Sequence, residues 1–361
     1  SMTSMEAGNA VKKGILAAKP DAEVVVNPLA DGGEGTVDAL IEGLGAKKIP
    51  VTVTGPLGEK VSCYYGFLEE TKSAVMEMAS AAGITLVTKK DPLRASTYGV
   101  GEMIADALKR GCKNFIIGIG GSATNDGGIG MLKALGFEFF DEDGNDVGEG
   151  AAALAKIEVI QTENKNPLLS GAKFQIACDV KNPLCGKQGA TYIFGPQKGV
   201  TEEQKSKVDE AMKHYADVTK ESLGCDFADC EGAGAAGGLG YAFLSYLAGE
   251  LIPGVELILQ ATGLEEKMKN ADVVVTGEGR LDAQTVMGKA PVGVAALAKK
   301  YNAKVIAFAG SVAPEASVCN QAGIDAFFPI VRGVTTLEEA MKKENAMENI
   351  AATAEQVFRL L

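Results

Sequence analysis

Short apolar runs and amphipathic stretches alternate towards both ends of this chain. Residues 24–26 form a β-branched run that enters a glycine-rich turn, and apolar positions at a helical spacing follow from Val37. Residues 98–110 carry apolar side chains three and four positions apart, Gly111 ends this stretch, and an apolar run follows at 114–119. Such an order is typical of strand–loop–helix units.

The same order returns in the last third of the chain. Strands are predicted at 272–276, 304–310 and 326–331, and Pro291 suits the first position of the helix that follows the first of them. Continuous apolar strands that alternate with amphipathic helices indicate a parallel sheet covered on both faces. We therefore expect a doubly wound α/β domain. Residues 1–19 also have a helical period, although such a sheet rarely begins with a helix.

The middle of the chain has a different pattern. Runs at 51–54, 61–65 and 73–78 are separated by turn residues and predict antiparallel hairpins. Further strands are predicted at 174–180 and 191–194 without a long helix between them. This pattern indicates an α+β domain with a mixed sheet, inserted into the doubly wound domain.

The length of 361 residues also predicts two domains, at roughly 150 residues per domain. We assign residues 1–48, 90–122 and 268–361 to a discontinuous doubly wound domain. The inserted domain is assigned to residues 49–89 and 123–267.

The charge and the cysteines restrict the function. The chain has 35 Lys and Arg against 47 Asp and Glu, a net charge of −12, which argues against a nucleic-acid or membrane surface as partner. No apolar stretch approaches the roughly 20 residues of a membrane span. The seven cysteines predict reduced thiols and a cytoplasmic location. His214 is the only histidine, which argues against chemistry that needs two.

Four glycine-rich loops are the candidate ligand sites, at 31–36, 118–128, 232–240 and 277–289. Glycines let backbone N–H groups converge on phosphate oxygens, and in an open α/β sheet such loops gather at the carboxyl ends of the strands. The alternative for each loop is a purely structural role as a tight turn. The candidate cofactor-binding residues are Gly32, Gly33, Glu34, Gly120, Gly121, Ser122, Gly234, Gly237, Gly238, Gly277, Glu278 and Gly279.

The second loop leaves a different function open. It matches the dinucleotide pattern G-x-G-x-x-A, and Glu138 lies about 20 residues further on. However, Asn125 and Asp126 interrupt the helix that should begin directly after the glycines. An NAD-dependent hydroxy-acid dehydrogenase is therefore the second hypothesis, and a non-catalytic nucleotide-binding protein is the third.

Carboxylates in and near these loops favour phosphoryl transfer, in which oxygens hold Mg²⁺ and one carboxylate accepts an alcohol proton. Asp179 closes an apolar strand and enters an Asn-Pro turn, where a carboxylate needs partners or a function. The structural alternative for Asp31 and Asp282 is a helix cap. The candidate catalytic residues are Asp31, Asp179, Arg280, Asp282 and Lys289, and the candidate Mg²⁺ ligands are Asp31 and Glu278.

Four segments, taken in order, closely resemble the bacterial glycerate kinase family. They are Leu-Ala-Asp-Gly-Gly-Glu-Gly-Thr at 29–36, the glycine loop at 118–128, Cys-Asp-Val-x-Asn-Pro-Leu at 178–184 and Thr-Gly-Glu-Gly-Arg-Leu-Asp-x-Gln-Thr-x-x-Gly-Lys at 276–289. The resemblance implies ATP-dependent phosphorylation of D-glycerate, favouring 2-phosphoglycerate over 3-phosphoglycerate as the product. It also implies a Rossmann-like, flavodoxin-related domain with a second α/β domain inserted.

With this resemblance, we expect phosphoryl transfer from ATP in a cleft between the domains, with Mg²⁺ as cofactor. Asp179 or Asp282 is expected to act as the base, while Arg280 or Lys289 neutralises charge. A homodimer is a candidate assembly. Members of the family usually begin with a strand that ends in a motif like Asp-Ser-Phe-Lys-Gly-Ser, so residues 1–4 resemble the positions at or just after its end, without that strand and its lysine.

Overall fold

Contacts along the backbone divide the chain into two units. The smaller unit comprises residues 1–31, 42–44 and 258–361, and the larger unit comprises 32–41 and 45–257. The computed structural model describes residues 2–27, 29, 36–286 and 289–361, and the statements below concern these residues.

Helices and strands are numbered in chain order. The strands are β1 (Lys47–Thr54), β2 (Lys60–Leu68), β3 (Ser73–Glu77), β4 (Asn114–Gly118), β5 (Glu138–Phe140), β6 (Val159–Gln161), β7 (Lys173–Ala177), β8 (Glu250–Ile252), β9 (Val273–Leu281), β10 (Lys304–Val312) and β11 (Ala326–Pro329). The α-helices are α1 (Ser4–Ala18), α2 (Thr36–Leu44), α3 (Ala79–Ala82), α4 (Tyr98–Lys109), α5 (Ile129–Ala134), α6 (Ala151–Leu154), α7 (Ala190–Lys198), α8 (Glu202–Leu223), α9 (Ala235–Leu247), α10 (Gly254–Ala261), α11 (Leu264–Met268), α12 (Ala290–Lys299), α13 (Val318–Gln321), α14 (Leu337–Met341) and α15 (Lys343–Phe358).

The larger unit is built on a six-stranded mixed sheet in the order β1-β2-β3-β4-β7-β8. The predicted hairpins form its antiparallel part, since β2 pairs antiparallel with both β1 and β3. The other neighbours, β3-β4, β4-β7 and β7-β8, are parallel. Strand β3 is buried on both faces, and Phe115 of β4 stacks on Phe174 of β7 with ring centroids 4.8 Å apart.

The parallel register places the carboxyl ends of four strands in one row. Glu77 pairs with Gly118, Gly118 with Ala177, and Ala177 with Ile252. Because neighbouring strands lie about 4.8 Å apart, the loops that follow β4 and β7 leave the sheet side by side. This edge of the sheet positions the larger unit's candidate site.

The smaller unit contains three parallel strands in the order β11-β10-β9. On one face, Ile306 and Phe308 of β10 pack with buried residues of α1 and α15. Alternation along the strand directs the buried Val305 and Ala307 to the opposite face, and α12 packs against β9 and β10. Helices on both faces of a parallel sheet are the predicted arrangement, and the fold class is α/β as expected.

The division into units differs from the predicted domains at residues 32–41, 45–48, 90–122 and 258–267, and the largest of these segments is 90–122. The prediction placed this segment with the C-terminal strands, whereas the structure includes it in the larger unit. The reason is strand pairing, because β4 is hydrogen-bonded between β3 and β7. Hydrophobic periodicity identified β4 as a strand but does not specify its neighbours.

Two predicted strands are absent from the described residues. Residues 24–26 are irregular, and the side chain of Val25 is 62% exposed. Residues 191–194 belong to α7 instead of a strand. By contrast, the helix predicted at 1–19 is present as α1, with Thr3 and Glu6 forming a capping box at its start.

Among the described residues, no helix combines the length and hydrophobicity required to cross a membrane.

Candidate functional site

The loop after β4 carries two exposed glycines at the carboxyl edge of the sheet. Gly120 and Gly121 are solvent-exposed, and neither N–H donates to another described group. Gly121 has a φ of +72°, the left-handed region that favours glycine. The loop is fixed on the other side of its backbone, because Ile84 donates to the Gly121 carbonyl at 2.8 Å and Ala123 to the Ala82 carbonyl at 2.9 Å. Exposed amides in this conformation are suited to an anion.

The same loop does not have the geometry of a dinucleotide fingerprint. In that motif a helix begins at the glycines, so that its N-terminus faces the pyrophosphate. Here Ser122 instead forms a β-bridge with Gly83, and the next helix, α5, begins only at Ile129. The arrangement argues against the dehydrogenase hypothesis.

Asp126 stabilises the loop from the interior. Its carboxylate is fully buried and accepts hydrogen bonds from the N–H and Oγ1 of Thr97, both at 2.8 Å, and from the amides of Gly128 and Gly130 at 3.2 and 3.3 Å. Burial raises the pKa of Asp126, and the hydrogen bonds from Thr97 and Gly128 oppose this. With four donors around it, Asp126 ties the starts of α4 and α5 to the loop.

The third glycine loop packs against the second one. Ala236, Gly237 and Gly238 all have positive φ, which interrupts α9 near its start. An added Cβ at Gly237 would lie 2.2 Å from the Thr124 carbonyl oxygen, and at Gly234 it would lie 2.2 Å from the Pro183 carbonyl oxygen. The predicted phosphate-binding residues Gly234, Gly237 and Gly238 are thus buried, where the absence of a side chain allows close backbone packing.

Asp179 follows β7 at the same edge and is exposed. Its Oδ1 accepts a hydrogen bond from the Gly254 amide at 2.8 Å, at the N-terminus of α10. A carboxylate at this position stabilises the helix start. Glu77, at the end of β3, makes the equivalent contact with α2, since its Oε1 accepts from the Val37 amide at 2.9 Å.

The smaller unit brings four of the predicted residues together at the carboxyl end of β9 and in the segment that follows it. The ammonium of Lys289 lies 3.5 Å from Glu278 Oε2 and 3.9 Å from Asp282 Oδ1, and Arg280 Nε lies 3.7 Å from Asp282 Oδ2. Asp282 also accepts from the Gln284 amide at 2.9 Å. Two carboxylates and two cations therefore form one polar cluster at the carboxyl end of a parallel strand.

Of the glycines in this segment, Gly277 has a packing role. It lies within β9, and an added Cβ would be 2.3 Å from the Phe308 carbonyl oxygen of the neighbouring strand. Gly279 has open space at the same position. Asp31, Gly32, Gly33 and Glu34 lie outside the described residues.

Two residues that the sequence analysis did not identify take part in these clusters. Thr285 is fully buried, and its Oγ1 donates to Glu278 Oε1 at 2.5 Å. Lys198 is 2% exposed, and its Nζ donates to the Thr124 carbonyl at 2.6 Å. The sequence offered a signal for Thr285, because it lies seven residues after Glu278 in the same motif. It offered none for Lys198, whose partner Thr124 is 74 positions away.

A family model described as "Glycerate kinase family" matches residues 1–361. The chain belongs to this family. It is 45% identical over 359 residues to a glycerate kinase from Bacillus subtilis (strain 168), covering 99% of this chain and 94% of the relative. It is also 45% identical over 360 residues to a glycerate 2-kinase from Escherichia coli (strain K12), covering 98% and 94%.

A solved structure agrees with the family assignment. The crystal structure of a putative glycerate kinase 2 from Salmonella typhimurium LT2 is 43% identical, and its match covers 100% of this chain and 94% of that chain with a TM-score of 0.92. The resemblance inferred from the four sequence segments is thereby confirmed.

Proposed function

We propose that this chain transfers the γ-phosphoryl group of ATP to a hydroxyl group of D-glycerate and forms 2-phosphoglycerate. The observation that carries the proposal is the family match over the whole chain. The choice of hydroxyl group is supported by the relative named glycerate 2-kinase. Phosphoryl transfer requires mainly positioning and charge neutralisation from the protein. The glycine loop after β4 and the polar cluster around Lys289 can supply these.

In the larger unit, the exposed amides of Gly120 and Gly121 bind anionic oxygens of a substrate. Ser122 is largely buried and shapes the loop through its bridge with Gly83. Asp179 lies after the neighbouring strand, so its carboxylate leaves the sheet beside this loop. In this proposal, a substrate hydroxyl held at the loop gives its proton to a carboxylate base.

In the smaller unit, the cluster around Lys289 neutralises the charge of the nucleotide phosphates. The described residues contain no group of three or more His, Cys, Asp and Glu side chains that would form a metal site on its own. Mg²⁺ in kinases takes one or two carboxylates together with substrate phosphates and water, and Glu278 can supply one of these carboxylates. We propose that Glu278 holds Mg²⁺ together with Asp31, and that Mg²⁺ supplies charge neutralisation at the phosphates.

Each unit thus offers a different part of the chemistry. The base that accepts the hydroxyl proton is Asp179 or Asp282, and the variants Asp179→Asn and Asp282→Asn separate them. A general base contributes about 10²- to 10⁴-fold, so one variant should lose at least 10²-fold in kcat. If both retain near-normal kcat, the base is another residue.

The function itself is tested by a coupled assay of ADP release with purified chain, ATP and Mg²⁺. We expect release that depends on D-glycerate and stops when Mg²⁺ is chelated. A change in nicotinamide absorbance with glycerate would instead favour the dehydrogenase, and ATP binding without ADP release would favour a non-catalytic protein.

A further inference from the structure

The larger unit contains a buried ammonium group whose only described hydrogen-bond acceptor is a backbone carbonyl. Among the described residues, Lys198 and Asp126 are the only Lys, Arg, Asp or Glu residues that are fully buried. Lys198 Nζ donates to the Thr124 carbonyl at 2.6 Å. A buried ammonium is costly unless it is paired, and an apolar residue at this place would avoid the cost. The contact with Thr124 is therefore the feature that needs an explanation.

The helix that carries Lys198, α7, forms hydrogen bonds with two consecutive residues of the loop, Thr124 and Asn125. Thr191 and Lys198 are seven positions apart in α7, so they lie on the same face, about two turns from each other. Thr191 Oγ1 accepts a hydrogen bond from Asn125 Nδ2 at 3.0 Å, next to the carbonyl that Lys198 binds. The glycine segment of α9 closes the other side, since Gly127 donates to the Gly237 carbonyl at 2.9 Å.

The loop contains further polar atoms that are not satisfied by described residues. Thr124 Oγ1 and Asn125 Oδ1 are buried and have no hydrogen-bond partner there. Burying these atoms without a partner costs free energy, so they do not hold the loop in place. The hydrogen bonds that hold this segment are those with Lys198, Thr191 and Gly237.

The held segment lies directly after the exposed amides. Gly120 and Gly121 precede Thr124 by four and three residues. Ala123 lies between Gly121 and Thr124, and its amide donates to the Ala82 carbonyl. A movement of the Thr124 carbonyl would reach the Gly121 amide through the three peptide units between them, and the Gly120 amide through four. Burial lowers the pKa of Lys198 to about 7, and the negative charge of Asp126 opposes this.

We propose that Lys198 is a positioning residue for phosphoryl transfer: through the Thr124 carbonyl it holds the loop in which the Gly120 and Gly121 amides bind anionic oxygens of the substrate. The ligand is a carboxylate or phosphate group, supplied by glycerate or by ATP. The inference rests on the proposed function, and it adds a residue outside the four sequence segments on which the family was recognised.

Three variants test the proposal kinetically. Lys198→Met removes the donor, Lys198→Gln keeps an N–H that can donate to the carbonyl, and Lys207→Met removes an exposed lysine of α8 as the matched control. We expect Lys198→Met to lower kcat/KM by about 10- to 100-fold, because misplacement by about 1 Å has effects of this size. Lys198→Gln should recover most of the loss, and Lys207→Met should leave the kinetics unchanged.

The two substrates distinguish the ligand. A rise in KM confined to glycerate assigns its carboxylate to the loop, and a rise confined to ATP assigns a phosphate. Kinetic constants equal to those of the unmodified chain in a folded Lys198→Met variant would overturn the proposal, and so would equal losses in Lys198→Met and Lys198→Gln. If Lys198→Met does not fold, Lys198→Leu replaces it, with a rise in the same KM expected and an unchanged KM contradicting the proposal.

A second readout does not depend on catalysis. Hydrogen exchange of the Ala123 amide, which donates to the Ala82 carbonyl, should be faster in Lys198→Met than in the unmodified chain or in Lys198→Gln. Unchanged exchange overturns the positioning role even if activity falls. If the unmodified chain releases no ADP with glycerate, the proposed function fails, while the exchange experiment still decides whether Lys198 holds the loop.

Discussion

The close packing of Gly237 against the second glycine loop can be tested by adding one methyl group. In Gly237→Ala the new Cβ would lie 2.2 Å from the Thr124 carbonyl oxygen and 2.6 Å from the Asn125 Cα. Because ordinary contacts are about 3.5 Å, one of the two backbone segments must move by about 1 Å. The carbonyl concerned is the one that Lys198 binds.

The expected loss of stability has two parts. Gly237 has a φ of +71°, and an alanine in the left-handed region costs about 1–2 kcal/mol. Overpacking a well-packed interior adds about 1–3 kcal/mol. The sum is about 2–5 kcal/mol in the free energy of unfolding. The native Ala236, with a φ of +53°, shows that the backbone term alone is tolerated at this turn.

The matched control is Gly144→Ala in the same unit. Gly144 has a φ of +79°, but nothing lies within 4 Å of an added Cβ, so this variant has the backbone cost without the clash. Urea unfolding of both variants should show a larger loss for Gly237→Ala by about 1–3 kcal/mol. Its kcat/KM should also fall, by about 10²-fold for a shift of about 1 Å. Equal losses of stability together with normal kinetics in Gly237→Ala would refute the reasoning.

Two further predictions concern the buried polar groups. The pKa of Lys198 is about 7 in the folded chain and about 10.4 in the unfolded chain, so between these pH values the unfolded state binds more protons and stability rises with pH. Urea unfolding from pH 7 to 9.5 should show this rise, at most about 1.4 kcal/mol per pH unit, and Lys198→Met should abolish it; the same slope in the variant would contradict the assignment. Thr285→Val removes the hydrogen bond to Glu278 and should raise the Mg²⁺ concentration required for half-maximal ADP release, with Thr262→Val, whose hydroxyl donates to the Ile258 carbonyl within α10, as the control.

Much of the fold could be predicted because its signals are local. The capping box of Thr3 and Glu6 and the apolar period of α1 lie within one segment, and the hairpins of β1, β2 and β3 are separated by short turns. The glycine loops were found for a similar reason, since the chain requires glycine at positions such as Gly121, where φ is positive.

The remaining features depend on contacts between distant residues. Asp179 meets Gly254 across 75 positions, so its role at the start of α10 is not encoded near either residue. The sequence Thr-Tyr-Ile-Phe at 191–194 has the composition of a strand, yet it forms part of α7, where Thr191 and Lys198 contact the loop. Tertiary contacts override propensity in such short segments.

The clusters within each unit were predicted in part. Glu278, Arg280, Asp282 and Lys289 are brought together as their shared motif suggested. In the larger unit, however, Gly234, Gly237 and Gly238 are buried, because glycine there serves backbone packing. The sequence alone does not distinguish a glycine required for backbone packing from a glycine required for binding an anion.

The central claim is most directly tested by phosphorus NMR of the reaction product. Purified chain is incubated with ATP, Mg²⁺ and D-glycerate, and the spectrum is recorded without proton decoupling. Transfer to the 2-hydroxyl places the phosphate on a carbon with one hydrogen, so a new phosphate-ester doublet is expected. A triplet would show transfer to the terminal hydroxyl group, and the absence of any glycerate-dependent ester signal would contradict the proposed function.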